Sequence, residues 1–222
     1  MASPKRHAFI LGATGAVGQQ LLRQLIDSDK FFKLHLPVRS EIDQKSKKIV
    51  TYPFDKFFRP WELDQNITDF FYCFGSTLKQ AGSFEAFRDL ELSVAHQALV
   101  VAKQVQARRF YLISAKGVDP QSFYGYLRVK SEVEKVLKDH LFQAFYVYRP
   151  SLILAPRRDL RVMELVAQRV LSPLRSPLQN YLPQSAPVSA EQIARAIVFD
   201  AISGEEGSFT RENKQIIELS KL

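Results

Sequence analysis

Three residues in the second half of the chain have the types and the spacing for proton chemistry at a carbonyl. Tyr126 and Lys130 are four apart, which puts them on one face of a helix, and Ser114 ends the apolar run Phe110-Tyr111-Leu112-Ile113 shortly before them. Adding hydride to a carbonyl leaves an alkoxide that needs a proton. A free tyrosine, with a pKa of about 10, is a slow donor or base at neutral pH. A neighbouring ammonium favours its phenolate, and a serine hydroxyl can hold the substrate oxygen. The same lysine could also hold the ribose of a nicotinamide cofactor. Each residue has a plain structural role open to it as well: Tyr126 as a half-buried helix aromatic, Lys130 on a solvated face, Ser114 as a strand-end cap.

Such a set needs a cofactor beside it, and the N-terminal stretch from Phe9 to Gly18 offers a site. Three apolar residues run into Gly12, Gly15 and Gly18, and then Val17, Leu21, Leu22 and Leu25 recur at helical spacing. This reads as strand, tight turn, helix. Glycine admits φ > 0 and a close approach of phosphate to the backbone, and a helix start offers free N–H groups and a positive dipole end. Gly12, Thr14, Gly15, Ala16 and Val17 are the candidate pyrophosphate contacts, in a Gly-x-x-Gly-x-x-Gly variant of the dinucleotide fingerprint.

The remaining elements follow from periodicity. Lys33 to Val38 is a second strand with Pro37 near its end. Arg39 comes next, where a dinucleotide fold presents its adenosine ribose. An arginine there suits a 2′-phosphate, so NADP is expected over NAD, with Ser40 as an extra donor. Ile49 to Tyr52 is a third strand, Phe57 to Asn66 is irregular, and Asp69 to Phe74 is a buried fourth strand in which Cys73 is a small core residue. Gly75 lets the following loop pass close to the cofactor. A long amphipathic helix over Phe84–Val105, a fifth strand over Phe110–Ile113, a helix over Tyr124–Leu137 and a sixth strand over Phe145–Tyr148 lead to Arg149-Pro150. Residues 151–190 form a proline-broken lobe on the substrate side, with one helix from about Leu160 to Leu171. Ser189 caps a helix reaching Ile202, and Ile216 to Leu219 is expected as a final strand. Strands alternating with helices give an α/β fold, a Rossmann-like doubly wound parallel sheet with helices on both faces.

With 222 residues and 46% hydrophobic content, residues 1–222 are expected as a single domain with one sizeable core. The lone cysteine excludes an intrachain disulfide, the four histidines lack metal-ligand spacing, and no apolar run reaches membrane-spanning length. These features lead to an expectation of no metal, no membrane and a cytoplasmic location. The formal charge of +8 admits a solvated basic surface, an anionic ligand, or nucleic acid. Arg157, Arg158, Arg161, Arg169 and Arg175 form a local basic excess without interleaved stacking aromatics, so no nucleic-acid partner is expected.

The glycine turn, Ser114, Tyr126-Leu127-Arg128-Val129-Lys130 and Arg149-Pro150 together resemble the short-chain dehydrogenase/reductase superfamily. More closely, Cys73-Phe74-Gly75-Ser76-Thr77, Ile113-Ser114-Ala115-Lys116-Gly117 and Tyr126 to Glu132 are similar to the Tat-interactive protein family of atypical NAD(P)-binding members. The resemblance implies a Rossmann-type domain, NADP as cofactor, Ser114, Tyr126 and Lys130 as the catalytic set, and Gly12, Thr14, Gly15 and Val17 beside the pyrophosphate. It extends the cofactor site to Gly75, Lys130 and Pro150. Two departures stand out. Glu91 occupies the place where many superfamily members have an asparagine, and Pro53 the place of an aspartate, which leaves adenine to the backbone near Phe54 or to Asp55. The leading expectation is an NADP-dependent oxidoreductase acting on a small carbonyl or alcohol. The alternative is an NADP(H)-binding regulatory protein that works through a protein partner without turnover.

Overall fold

The structure is a computed structural model that describes residues 6–39, 41–59, 67–154 and 182–222. The chain alternates from its start: β1 (Arg6–Leu11), α1 (Ala16–Asp27), β2 (Phe31–Val38), β3 (Ile49–Pro53), a 3-10 turn (Phe54–Phe58), β4 (Asp69–Tyr72), α2 (Leu78–Ala81), α3 (Phe84–Gln104), β5 (Arg109–Ile113), α4 (Gly125–Lys138) and β6 (Ala144–Arg149). Two short strands, β7 (Ile153–Leu154) and β8 (Val188–Ser189), precede α5 (Ala190–Ser203), β9 (Gly207–Glu212) and α6 (Asn213–Leu219). Seven strands form one sheet in the order β3-β2-β1-β4-β5-β6-β9, every pairing parallel, and β7 pairs with β8 apart from it. This is the expected doubly wound sheet.

The sheet is buried on both faces because its strands are apolar at successive positions, and the two-residue period sends alternate side chains to opposite layers. Ala8, Ile10, Leu34, Leu36, Phe71, Tyr111, Tyr146 and Tyr148 meet α1, α5 and α6. Phe9, Leu11, Phe70, Tyr72, Phe110, Leu112, Phe145 and Val147 meet α3, α4 and the 3-10 turn. Parallel register stacks like on like. Phe9, Phe70, Phe110 and Phe145 are direct cross-strand partners, with ring centroids 4.9, 4.9 and 5.8 Å apart. On the other face Phe71, Tyr111, Tyr146 and Phe209 repeat the pattern at 4.6, 5.3 and 4.8 Å. Aromatic pairs with centroids at these distances each contribute about 0.5–1.5 kcal/mol beyond the area they bury.

The C-terminal segment departs from expectation. Ile216 to Leu219 belongs to α6, not to a strand, because Asn213, Ile216 and Ile217 are buried at the three- and four-residue spacing of a helix face, and Glu212 and Gln215 close a reciprocal capping box. The last strand is β9, whose sequence Gly-Ser-Phe-Thr-Arg-Glu carries one large apolar residue because it lies at the sheet's edge. Ser189 does cap α5, accepting from the Gln192 N–H while Gln192 answers to the Ser189 N–H. Ser40, residues 60–66, the helix expected near Leu160–Leu171 and the five arginines of the basic excess lie outside the described residues, as does most of the lobe over 151–190. No helix among the described residues is long and apolar enough to cross a membrane.

Candidate functional site

The order of the sheet turns back at β1: β2 and β3 lie to one side of it, β4 and its successors to the other. In open α/β sheets ligands bind at the carboxyl ends of the strands flanking such a point. The glycine turn stands there. Gly12 has φ +85°, and a side chain on it would put Cβ 2.7 Å from the Cys73 carbonyl, so dihedral and space both demand glycine. Gly15, at φ −74°, has ordinary backbone and is crowded only by the Gly12 oxygen, 3.2 Å from its Cβ position. A Cβ on Gly18 would lie 2.1 Å from that same oxygen, so α1 packs directly on the turn.

Beyond the turn, α1 starts without a side-chain cap and without an acidic residue in its first turn, while Thr14, Gly15 and Ala16 are exposed and Val17 is buried as an anchor. Uncapped N–H groups and an unopposed dipole suit a phosphate pair, so the residues present fit the pyrophosphate of a dinucleotide. At the end of β2, the exposed Arg39 lays its guanidinium over the Phe54 ring at 4.7 Å. Beside this pair opens a cleft of about 840 Å³, lined by Val38, Ile42, Thr51 and Tyr52 among others.

Across the turn, Cys73 donates its backbone N–H to the Leu11 carbonyl at 2.8 Å. It packs against the α1 layer, and burial pushes its thiol up to about 12. Two residues on, the Cβ position of Gly75 is 3.7 Å from Lys130 Nζ. Lys130 is 4% exposed, and its ammonium lies 2.7 Å from Oε2 of the fully buried Glu91. Glu91 Oε1 in turn accepts the Ser76 N–H at 2.6 Å. Tyr126, one helical turn before Lys130, is 37% exposed; its ring lies against Phe87 of α3, with centroids 5.8 Å apart, and 5.8 Å from Lys130 Nζ. The structure therefore brings Tyr126, Lys130 and Gly75 together at the sheet's carboxyl edge.

Ser114 takes a more buried place. Its Oγ donates to Glu134 Oε1 at 2.5 Å, and Arg149 forks onto the same carboxylate at 3.1 and 2.7 Å while also reaching Glu212 at 3.3 Å. Hydrogen bonding to Glu134, working against burial, raises the Arg149 pKa further. Pro150 is buried and its carbonyl accepts the Lys116 N–H at 2.8 Å, tying the loop after β5 to the end of β6. Sequence reasoning passed over Glu134, although it stands four residues past Lys130 and eight past Tyr126 and so shares their helix face. It noted Glu91 only as a departure, since the partner of that carboxylate comes from another helix.

Near this cluster two buried hydroxyls, Tyr72 Oη and Ser76 Oγ, find no hydrogen-bond partner among the described residues. Burial, and then the charge of Glu91, raise the Tyr72 pKa well above the usual phenol value. Unpaired buried hydroxyls mark a place where water or a ligand belongs.

No protein-family model matches the chain. Among curated proteins it is 30% identical over 154 residues to FMP52 of Debaryomyces hansenii, covering 68% of each chain. It is 27% identical over 224 residues to HTATIP2 of Rattus norvegicus, covering 97% of this chain and 90% of that one. Among solved structures, the enzyme WbmH of Bordetella bronchiseptica in complex with NAD+ superposes with a TM-score of 0.67 at 16% identity, over 97% of this chain and 79% of that one, a likeness of fold. The Debaryomyces relative is named a mitochondrial protein, as are FMP52 proteins of Scheffersomyces stipitis and of three Aspergillus species. These names overturn the expectation of a cytoplasmic location. A single cysteine and the lack of a long apolar run describe chemistry that several compartments share, and so they do not select one.

Proposed function

The chain belongs to the family of FMP52 and HTATIP2 within the atypical short-chain dehydrogenases/reductases, and on that footing we propose that it is a nicotinamide dinucleotide-dependent oxidoreductase of a mitochondrial compartment, acting on a small carbonyl or the matching alcohol. The observation that carries this reading is the meeting of Tyr126 and Lys130 with the Gly75 loop, two residues from the contact between Cys73 and the Gly12 turn. In this reading Gly12, Thr14, Gly15, Ala16 and Val17 hold the pyrophosphate, Lys130 and Pro150 border the nicotinamide end, and Arg39 with Phe54 receives the adenosine. Arg39 supports NADP as the cofactor, because a guanidinium can donate two parallel hydrogen bonds to a 2′-phosphate. A bound nicotinamide supplies or accepts the hydride. Tyr126 Oη exchanges the proton with the substrate oxygen, and Ser114, its own proton given to Glu134, presents lone pairs toward a substrate hydroxyl. Replacing Tyr126 by Phe keeps the ring on Phe87 and removes that proton, so hydride transfer should fall about a hundredfold to ten-thousandfold with dinucleotide affinity retained. Steady-state rates across a carbonyl and alcohol panel, alongside calorimetric binding, test this; a Tyr126→Phe variant as fast as wild type overturns it.

A second reading, dinucleotide binding without turnover and signalling to a protein partner, is favoured by one observation: Ser114 is 6% exposed and its hydroxyl is taken by Glu134. Tight dinucleotide binding with no hydride transfer on any member of the panel would select it.

A further inference from the structure

The loop between Ser114 and Tyr126 starts and ends at the site, so a molecule lying along it lies beside both residues. Lys116 stands at its start, with its backbone N–H on the Pro150 carbonyl at 2.8 Å. The Lys116 ammonium donates to Ser185 Oγ at 2.7 Å, and among the described residues it meets no carboxylate. The neighbouring cations are each neutralised, Lys130 by Glu91 and Arg149 by Glu134 and Glu212. Asp119, three residues past Lys116, accepts the Gln121 N–H instead. Ser185 is a fixed partner, because the buried Asn213 donates to the carbonyls of Pro183 at 2.8 Å and Ala186 at 2.9 Å. Lys116 therefore brings an unneutralised charge, with protons to spare, to the edge of the site. Further along the loop, Phe123 is 100% exposed and Tyr124 75%. Arg128 braces them from α4, donating Nη1 to the carbonyls of Ser122 at 2.7 Å and Phe123 at 3.2 Å, and Ser122 Oγ accepts the Tyr124 N–H at 3.2 Å. A fully exposed phenylalanine adds nothing to folding through burial, and a lone one needs no explanation. Here two aromatics stand together on a braced loop within three residues of Tyr126. Exposed Leu152 and Leu182 flank the Lys116 end: Leu152 follows Pro150 by two residues, and the Leu182 carbonyl accepts the Ser185 N–H at 3.1 Å.

We propose that this loop selects the substrate, a carbonyl compound with an apolar body and an acid group: Lys116 holds the acid, and Phe123 with Tyr124 covers the body. This rests on the oxidoreductase reading above and narrows its substrate class. An ammonium without a counter-charge gains more from an arriving anion than one already paired, since no ion pair has to be broken first. The aromatic faces offer apolar area that sheds water only when a ligand covers it. Taken singly, the charge fits any anion and the aromatics any apolar surface. Carried on one loop with Ser114 at one end and Tyr126 at the other, they describe a single small molecule whose carbonyl is presented to Tyr126 Oη.

The test reads binding by calorimetry, to the full chain with oxidised nicotinamide dinucleotide bound, so that no hydride is available to a ketone. Three probes separate the two features: 4-acetylbenzoate has body and acid, its methyl ester has the body alone, and 4-oxopentanoate has the acid without the ring. 4-Acetylbenzoate should bind about tenfold more tightly than either of the others. Lys116→Gln should bring it down to the level of the ester and leave the ester where it was. Phe123→Ser should weaken both aromatic ketones by about threefold to tenfold and leave 4-oxopentanoate unchanged. Ser185→Ala cuts the tether and keeps the ammonium, so the preference for the acid should persist; a Lys116 that serves only to tie the loop to Ser185 would lose nothing specific to the acid in either variant. An ester bound as tightly as the acid, no binding of any probe, or an acid preference that survives Lys116→Gln overturns the inference. Phe123→Ser without effect on any probe overturns it too, and assigns the aromatic loop to a macromolecular partner. Binding as expected, with no reduction of 4-acetylbenzoate when the reduced dinucleotide is supplied, would instead count against the oxidoreductase reading alone.

Discussion

At the amino ends of the strands, Arg6 donates Nε to Asp69 at 2.8 Å and a second nitrogen to the other oxygen, Thr68 adds its hydroxyl at 2.7 Å, and Tyr111 reaches the same carboxylate at 3.4 Å. Arg6 also ties the sheet to α5 through the Ala201 carbonyl and covers the Phe31 ring. Burial opposes its charge, and Asp69 more than compensates, so the guanidinium is held above its ordinary pKa. At the carboxyl ends the bookkeeping is left open: Tyr72 and Ser76 hydroxyls have no partner among the described residues, α1 starts uncapped, and Arg39 faces solvent over Phe54. The amino end spends its polar groups largely on itself, with Arg109 Nε the exception among its buried side-chain atoms, and the carboxyl end keeps more of them for something else. A buried, satisfied cluster reads as architecture, and a cluster with unmet donors beside a glycine turn reads as a site.

Three substitutions press on this contrast. The largest effect is expected at the closed end. Asp69→Ala leaves the half-buried Arg6 guanidinium without its counter-charge and should cost up to about 3–5 kcal/mol of stability, measured by urea unfolding, with dinucleotide affinity of the folded protein unchanged. Equal losses of stability and affinity would mean that the two ends are coupled. Next, Arg39→Ala at the open end should leave the unfolding curve in place and remove about 1.5–3 kcal/mol from NADP binding, roughly a tenfold to hundredfold loss, while NAD binding stays the same. Calorimetric titration of both cofactors decides it, and equal losses for the two would show that Arg39 does not meet the 2′-phosphate. The smallest effect at neutral pH belongs to Cys73. Its thiol is lifted from 9.0 to about 12 by burial, so the folded chain holds this proton more tightly than the unfolded one. The contribution is complete below pH 9 and is lost as pH rises from 9 toward 12. The alkaline fall in the urea midpoint should therefore be shallower in Cys73→Ala.

Much of this was written in the sequence where a single segment carries its own signal. Phe9 to Gly18 announces strand, turn and helix without help from elsewhere, and the spacing of Tyr126 and Lys130 needs only the helix they share. The parallel, doubly wound character of the sheet followed from the alternation of strands with helices, because parallel neighbours need a crossover. What stayed hidden depends on distant partners. Glu134 becomes informative when Ser114 and Arg149 arrive from two other strands, and the pairing of Glu91 with Lys130 joins residues 39 positions apart. The misreading of Ile216 to Leu219 has a local cause, since two adjacent isoleucines suit a strand as well as a helix until Asn213 is recognised as a buried third member of the face. β9 escaped notice because an edge strand needs one apolar side only and Phe209 alone supplied it.

The position of β1 in the sheet also shapes how the chain is made. Among the strands of this sheet, β1 is made before the others and needs neighbours on both sides, and its second neighbour, β4, begins only at Asp69. Until then Phe9 and Leu11 on one face, and Ala8 and Ile10 on the other, belong to a strand with an open hydrogen-bonding edge, a state that invites pairing with other chains. Growth on the far side continues outward in synthesis order, β4, β5 and β6, and ends with the mostly polar β9. The nascent sheet thus trades a greasy edge for a charged one, and the last strand added, with Arg211 and Glu212 near its end, is the one best suited to remain at the margin.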